Sequence, residues 1–175
     1  MVTVGSFVGG AKHNIIPDEA KLLLTVRSYS DETRDHLLRG IERIARGEAI
    51  AAGVPEDRMP VVSVKDEFTP AAYNPPAFAS QMASLLKTHF PEGRVMEAKP
   101  SMGGEDFGRY YRADKSINSF IFWVGGVPAD QMKKAAAGGL TLPSLHSPFW
   151  APQADKVIAT ASEAMTVLAL NILKR

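Results

Sequence analysis

A proline-rich break constrains this chain more than any other sequence feature. Residues 69–76 contain three prolines and an asparagine. Proline fixes its own backbone torsion and removes a hydrogen-bond donor, so neither a helix nor a central strand continues through such a stretch. We therefore predict one folding segment over residues 1–68 and a second over residues 69–175.

Before the break, hydrophobic spacing predicts the order strand, strand, helix, strand. Residues 2–7 and 20–29 are rich in Val and Leu and should pair as a hairpin. Ser30, followed by two acidic residues, is typical of a helix start, and Gly53 should end that helix. Residues 59–68 alternate like a third strand. Three strands with a single helix form an incomplete layer, so this sheet should lack a partner.

After the break, helices and strands alternate. The pattern predicts helices over residues 77–90, 105–111 and 131–137, and a last helix that begins near Pro152. It also predicts a short strand over residues 94–98 and a fully buried strand over residues 117–124. The whole chain is therefore expected to adopt an α/β fold.

Composition narrows the classes of function. Hydrophobic residues make up 45% and charged residues 22% of the chain, which is typical of a folded, soluble protein. Lys and Arg total 20 against 19 acidic residues, so no basic surface for nucleic acid is expected. No apolar run approaches the ~20 residues that span a bilayer, and we expect no membrane partner.

The chain has no cysteine, which excludes disulfides, thiolate zinc sites and cysteine nucleophiles. The N-terminus lacks the basic and apolar regions of a signal peptide. The expected location is therefore the cytoplasm, and it stays open if a further N-terminal segment precedes these residues.

Three short segments could carry chemistry, and each also has a purely structural interpretation. Residues 10–18 form a hairpin turn, but Asn14 and Arg27 could instead converge on one anion, since an Arg fork and an amide both donate to a carboxylate. Gly103 and Gly104 precede a predicted helix, where exposed backbone N–H groups could bind an anion or simply form its first turn.

The third segment is a proline-rich loop that contains His146. A histidine there could bind a metal or act as a base, although a lone histidine is more often a surface residue. Catalytic zinc usually takes about three protein ligands. The four histidines are scattered along the sequence and supply no such set.

Taken in order, these segments resemble one known family. Gly-x-x-x-Asn-Ile-Ile-Pro-Asp is followed by Thr-Val-Arg, then Met-Gly-Gly-Glu-Asp-Phe, then Leu-His-Ser-Pro. The sequence is similar to the zinc-dependent amidohydrolases and carboxypeptidases that include hippurate hydrolases, N-acyl-amino-acid amidohydrolases and auxin-conjugate hydrolases. The similarity runs over nearly the whole chain, as the C-terminal portion of a family member.

The resemblance implies a two-part architecture. Residues 1–68 would be the second half of a ferredoxin-like lid and dimerisation domain, with three strands and one helix. Residues 69–175 would be the C-terminal segment of an α/β zinc-peptidase catalytic domain. The lid would form a homodimer, with residues 31–53 near the interface.

The resemblance also implies site residues. His146 matches the last metal ligand, while Asn14, Arg27, Gly103 and Gly104 match substrate-binding positions. The family would hydrolyse the amide bond of N-acyl amino acids or related peptide-like substrates with two divalent metal ions, zinc or else manganese or cobalt. Its general base and other ligands would lie upstream, so we expect no catalytic residue in this chain and no activity from it alone.

Two other interpretations stay open at this point. The chain could be a non-catalytic, dimerising and carboxylate-binding fragment or partner subunit. It could also be a simple structural α/β domain in which all three motifs are accidental. Neither the acyl group, the metal nor any role of Glu105 and Asp106 can be read from the sequence.

Overall fold

The computed structural model describes residues 1–174 and contains one two-stranded sheet and five α-helices. The predicted mixed α/β class is confirmed. The strands are β1 (Val2–Gly9) and β2 (Ala20–Val26). The helices are α1 (Asp31–Ala51), α2 (Pro76–His89), α3 (Gly108–Ala113), α4 (Ala129–Ala136) and α5 (Ala154–Leu173).

The chain divides into two structural units. The first comprises Met1–Ala72 together with Pro100–Lys115, and the second comprises Tyr73–Lys99 together with the described residues from Ser116 onward. Sequence patterns did not indicate that residues 100–115 would join the first unit. The division into domains after residue 68 remains a prediction.

The hairpin of the first unit forms as predicted. Strands β1 and β2 pair antiparallel, with one register irregularity between Val4 and Ser6 that marks a bulge. Gly10 follows β1 with a φ of 74°, and a Cβ there would lie 3.3 Å from Pro17. The left-handed backbone favours glycine at this turn, and a Cβ there would also crowd Pro17.

Helix α1 begins and ends where the sequence predicts. The Ser30 hydroxyl accepts a hydrogen bond from the Thr33 N–H at 3.2 Å, which satisfies one of the donors left free in the first turn. Gly53, just beyond the helix, has a φ of 71°. A single 3₁₀ turn, Glu56–Arg58, follows.

Three predicted strands are absent from the described part of the chain. Within residues 1–174, residues 59–68, 94–98 and 117–124 pair with no neighbouring strand. The expectation of a third lid strand was therefore wrong. The expectation of a fully buried strand was also wrong, since Ile117 and Trp123 are 45% and 66% exposed. Alternating hydrophobicity forms a strand only where a neighbour supplies the hydrogen-bond ladder.

A side-chain amide partly replaces that ladder in the second unit. Asn74 Nδ2 donates to the carbonyl of Ile121, and Asn74 Oδ1 accepts from the Ile121 N–H, both at 2.8 Å. Next along the same segment, Phe120 and Phe122 stack with ring centroids 5.6 Å apart. Both rings pack on the hydrophobic core of this unit, which consists of Met82, Leu86, Ala164 and Leu168.

Helix α5 corrects one expectation. Its mean hydropathy reaches 1.4 over 18 residues, so it is long and apolar enough for a membrane span by length and composition alone. The expectation that no apolar run reaches this length was wrong, although core helices of globular proteins also meet that criterion. Its buried face includes Ala164 and Leu168, whereas Ile158 and Met165 are 64% and 63% exposed.

Candidate functional site

Arg27 is the predicted site residue that the structure holds most firmly. It follows β2 directly, and both its backbone groups bond to Met1: its N–H donates to the Met1 carbonyl at 2.9 Å, and its carbonyl accepts from the Met1 ammonium at 2.8 Å. The half-buried side chain donates from Nη1 to the carbonyl of Met102 at 2.6 Å, across 75 residues of sequence. This contact brings Arg27 beside the segment that contains Gly103 and Gly104.

We call that segment, residues 102–107, the glycine loop. Gly103 N–H donates to Ser101 Oγ at 3.1 Å, and Phe107 N–H donates to Glu105 Oε1 at 3.1 Å. Gly104 is exposed, and a Cβ there would meet no atom within 4 Å. The loop is therefore an exposed backbone surface beside an arginine.

The helix that follows the loop begins later than predicted. Helix α3 starts at Gly108 rather than at Glu105 and contains six residues. Gly103 and Gly104 are thus separated from its first turn by three residues. The idea that the positive end of a helix faces an anion at these glycines is therefore wrong. Any anion at this site would depend on the Arg27 guanidinium and on loop N–H groups.

Sequence reasoning missed Gly108, which fixes the downstream end of the loop. It is buried, and a Cβ there would lie 2.7 Å from Ala72 Cα and 2.8 Å from the Ala71 carbonyl oxygen. Only a residue without a side chain permits this approach of helix and backbone. The signal was the third glycine of Met-Gly-Gly-Glu-Asp-Phe-Gly.

Asn14 lies in the exposed turn between β1 and β2. The turn is closed by a hydrogen bond from the Ile15 N–H to the Lys12 carbonyl at 3.4 Å. Among the hydrogen bonds of the described residues, none joins Asn14 to Arg27. The structure thus unites Arg27 with the glycine loop, and a substrate-binding role for Asn14 stays a prediction.

His146 belongs to the second unit, in an exposed loop. Hydrogen bonds from the Ser147 N–H to the Ser144 carbonyl at 2.9 Å and from the Trp150 N–H to the Ser147 carbonyl at 3.0 Å shape this loop. The loop is anchored at Gly126, whose carbonyl accepts from the Gln153 N–H at 3.0 Å.

The donor set does not fit a metal centre. Within residues 1–174, no group of three or more His, Cys, Asp or Glu side chains is placed to hold a metal ion. Catalytic zinc takes about three protein ligands. His146 as one metal ligand therefore stays a prediction, and we assign no reaction step through a metal.

A separate groove of about 540 Å³ runs along α1. It is lined by His36, Arg39, Gly40, Glu42, Arg43 and Arg46. All six residues belong to one helix, so the groove is a space between neighbouring side chains rather than a cleft between elements. Arg46 Nη2 donates a hydrogen bond to Glu56 Oε1 at 2.7 Å, and this carboxylate raises the pKa of the Arg46 guanidinium. We do not place the substrate there.

Comparison with known proteins supplies the family. The model of the M20 peptidase dimerisation domain matches residues 1–52, which contain β1, β2 and α1. The protein named amidohydrolase YhaA in Bacillus subtilis is 29% identical over 128 residues, which cover 73% of this chain and 30% of YhaA.

Two proteins named N-acetyldiaminopimelate deacetylase are also similar. That of Geobacillus thermodenitrificans is 30% identical over 125 residues, and that of Listeria welshimeri is 32% identical over 132 residues. In both, the match covers 71% of this chain and 31% of the relative. The chain thus spans about a third of the length of the curated relatives it matches. These matches support an M20 peptidase or amidohydrolase family member, of which this chain corresponds to a part.

Proposed function

We propose that this chain is the dimerising, carboxylate-binding portion of an amidohydrolase for N-acyl amino acids or related peptide-like substrates. The contact between Arg27 Nη1 and the Met102 carbonyl carries the proposal, since it sets a guanidinium beside an exposed glycine loop. Relatives named for removing an N-acetyl group from diaminopimelate support this substrate class. N-acyl amino acids and N-acetyldiaminopimelate share one chemical feature, a carboxylate close to the acylated nitrogen.

Arg27 can hold the loop and bind a carboxylate at once. A guanidinium has five N–H donors in a fixed planar fork, and the Met102 carbonyl accepts from one nitrogen. The donors on the remaining nitrogens could form the paired hydrogen bonds that a carboxylate prefers. The N–H of the exposed Gly104 would add a further donor from the loop.

A dimer is part of the proposal. The match to a peptidase dimerisation domain covers β1, β2 and α1 and supports association of two copies through the first unit. Hydrolysis itself would need two divalent metal ions, which would supply Lewis-acid chemistry and for which residues 1–174 provide no complete ligand set. The residues described here would contribute substrate binding and, at His146, one ligand.

The experiment is titration of the chain with hippurate by isothermal calorimetry. Hippuramide, in which an amide replaces the carboxylate, is the matched ligand control. We expect the parent chain to bind hippurate but not hippuramide. Arg27→Lys should bind hippurate at least about tenfold more weakly, because lysine keeps the positive charge but lacks the planar guanidinium fork. Arg58→Lys, an exposed arginine in the 3₁₀ turn, should bind as the parent does. Equal binding of both ligands, or full binding by Arg27→Lys, would refute the proposal.

A second candidate function is suggested by the metal ligands. Residues 1–174 contain no group of side chains placed to hold a metal ion. The chain could be a non-catalytic subunit that binds carboxylates. Hippurate hydrolysis with added zinc or manganese, measured beside His146→Ala, separates the two. Turnover that His146→Ala abolishes would indicate that a working site assembles, whereas binding without turnover favours the non-catalytic subunit.

A further inference from the structure

Phe68 lies at the centre of an arginine cluster that no sequence motif indicated. The guanidinium carbon of Arg34, in α1, lies 4.1 Å from the centroid of the Phe68 ring. That of Arg112, in α3, lies 5.6 Å from the same centroid. Arg109 Nη2, also in α3, donates to the Phe68 carbonyl at 2.6 Å. One phenylalanine therefore contacts two helices that are far apart in sequence.

An ion pair joins the same two helices directly. Arg112 Nη1 lies 2.6 Å from Oδ2 of Asp31, in the first turn of α1. We call Phe68, Asp31, Arg34, Arg109 and Arg112 the Phe68 clamp. Its contacts reinforce the close approach of Gly108 to the backbone of residues 71–72, so α3 is held by the start of α1 and by residues 68–72.

The clamp holds one end of the glycine loop, and Arg27 holds the other. Residues 103–107 run from Met102, whose carbonyl accepts from Arg27, to the first residue of α3. The loop has no regular secondary structure of its own, and its residues 103–106 are exposed. A short loop of this kind takes the positions that its two anchors impose.

We infer that the Phe68 clamp is a positioning device that couples α1 to the glycine loop and sets where Gly103 and Gly104 lie relative to Arg27. This inference rests on the proposed carboxylate site and adds residues that act on it without touching substrate. The inference also links the glycine loop to the stretch that matches a dimerisation domain, because α1 lies in that stretch. A change at the start of α1 is therefore transmitted to the substrate-binding loop.

Each contact of the Phe68 clamp is individually weak. The side chains of Arg112 and Asp31 are 47% and 51% exposed, and such pairs are weak individually and screened by salt. Cation–π contacts at partly exposed sites are similarly modest. We therefore expect a graded shift of the loop when one contact is lost, with the protein still folded.

The test compares Asp31→Asn with Glu32→Gln. Each variant removes one carboxylate charge from the first turn of α1, so both weaken its interaction with the helix dipole equally. Asp31 forms the ion pair with Arg112, whereas no ion pair joins Glu32 to any residue within 1–174. The probes are hippurate affinity by calorimetry and the ¹⁵N–¹H resonances of Gly103 and Gly104.

In Asp31→Asn we expect shifted Gly103 and Gly104 resonances and hippurate binding weakened about two- to fivefold, the size that a half-exposed ion pair supports. Glu32→Gln should leave both unchanged. A reversed pair, Asp31→Arg with Arg112→Asp, should move the glycine resonances back toward those of the parent. A purely structural contact would lower the thermal unfolding temperature yet leave the glycine resonances of the folded protein in place, which would overturn the inference.

Failure of this inference can be told apart from failure of the proposed site. If the parent chain does not bind hippurate, the carboxylate site is refuted, while the glycine resonances still report whether the clamp positions the loop. If the parent binds hippurate but Asp31→Asn and Glu32→Gln behave alike, the site stands and the clamp is refuted. Phe68→Leu, which keeps an apolar side chain but removes the ring, should reproduce the resonance shifts of Asp31→Asn.

Discussion

Gly126 controls the position of the His146 loop through the absence of a side chain. A Cβ at this residue would lie 3.0 Å from Pro152 Cβ and 3.1 Å from Trp150 Cζ2, both beyond His146 in the same loop. Real Cβ contacts are rarely this short, so the loop would have to move to admit a methyl group. The neighbouring Gly125 has no atom within 4 Å of its own virtual Cβ.

Gly126→Ala should therefore displace the loop, and Gly125→Ala should not. The measurement is the indole N–H resonance of Trp150, with the His146 ring resonances as a second probe. We expect both to shift in Gly126→Ala and to remain in place in Gly125→Ala, which adds the same methyl group in open space. A shift of the Trp150 resonance alone would mean that Trp150 yields locally without moving the loop, and unchanged spectra would contradict the prediction.

At the scale of elements, helices were easier to predict from sequence than strands. Helix α1 carries its own start signal at Ser30 and its own stop signal at Gly53, and its hydrogen bonds close within the segment. A strand has no such internal bonds. Residues 59–68 and 117–124 have strand-like patterns, but the described part of the chain offers neither of them a neighbouring strand.

The Asn74 amide is the main substitute for that missing neighbour in the second unit. It bonds both backbone groups of Ile121 at 2.8 Å in a partly buried position. Asn74→Ala should leave these groups without protein partners, at a cost of about 1–3 kcal/mol in the stability of this unit. Hydrogen–deuterium exchange over residues 117–124 would measure the effect as faster exchange.

Asn118→Ala is the matched control for that experiment. Asn118 lies in the same segment, is exposed, and shares the residue type. We expect no change in exchange at Ile121 in this variant. Equal exchange in Asn74→Ala and Asn118→Ala would show that the amide does not hold the segment, and that the Phe120 and Phe122 packing and the Ser119 hydrogen bond to the Tyr73 carbonyl hold it instead.

At the scale of the whole molecule, the surface is large for the mass. The chain exposes 14271 Å². Two separate compact units that shared its 18.9 kDa would expose about 10,000 Å² together. The excess includes large apolar side chains such as Phe7, Ile16 and Val61, at 72%, 94% and 93% exposure. Surfaces of this kind favour association.

We therefore expect the purified chain to self-associate. Sedimentation velocity over a wide concentration range should show a sedimentation coefficient that rises with concentration. Added sulfate should strengthen association driven by apolar surface, whereas added sodium chloride should weaken association driven by charge. A compact monomer that sediments identically at every concentration would contradict the prediction.

The sequence by itself determined the local features: the hairpin turn at Gly10, both ends of α1, the α/β class and the family motifs. Each depends on residues close together in the chain or on an ordered set of short segments. Only the tertiary structure decided that Arg27 meets Met102, that Gly108 touches residues 71–72, and that Phe68 joins α1 to α3. These contacts join residues tens of positions apart, and they depend on side-chain packing that no local periodicity encodes. The same reason explains why the predicted strands failed: a strand is completed by its neighbour.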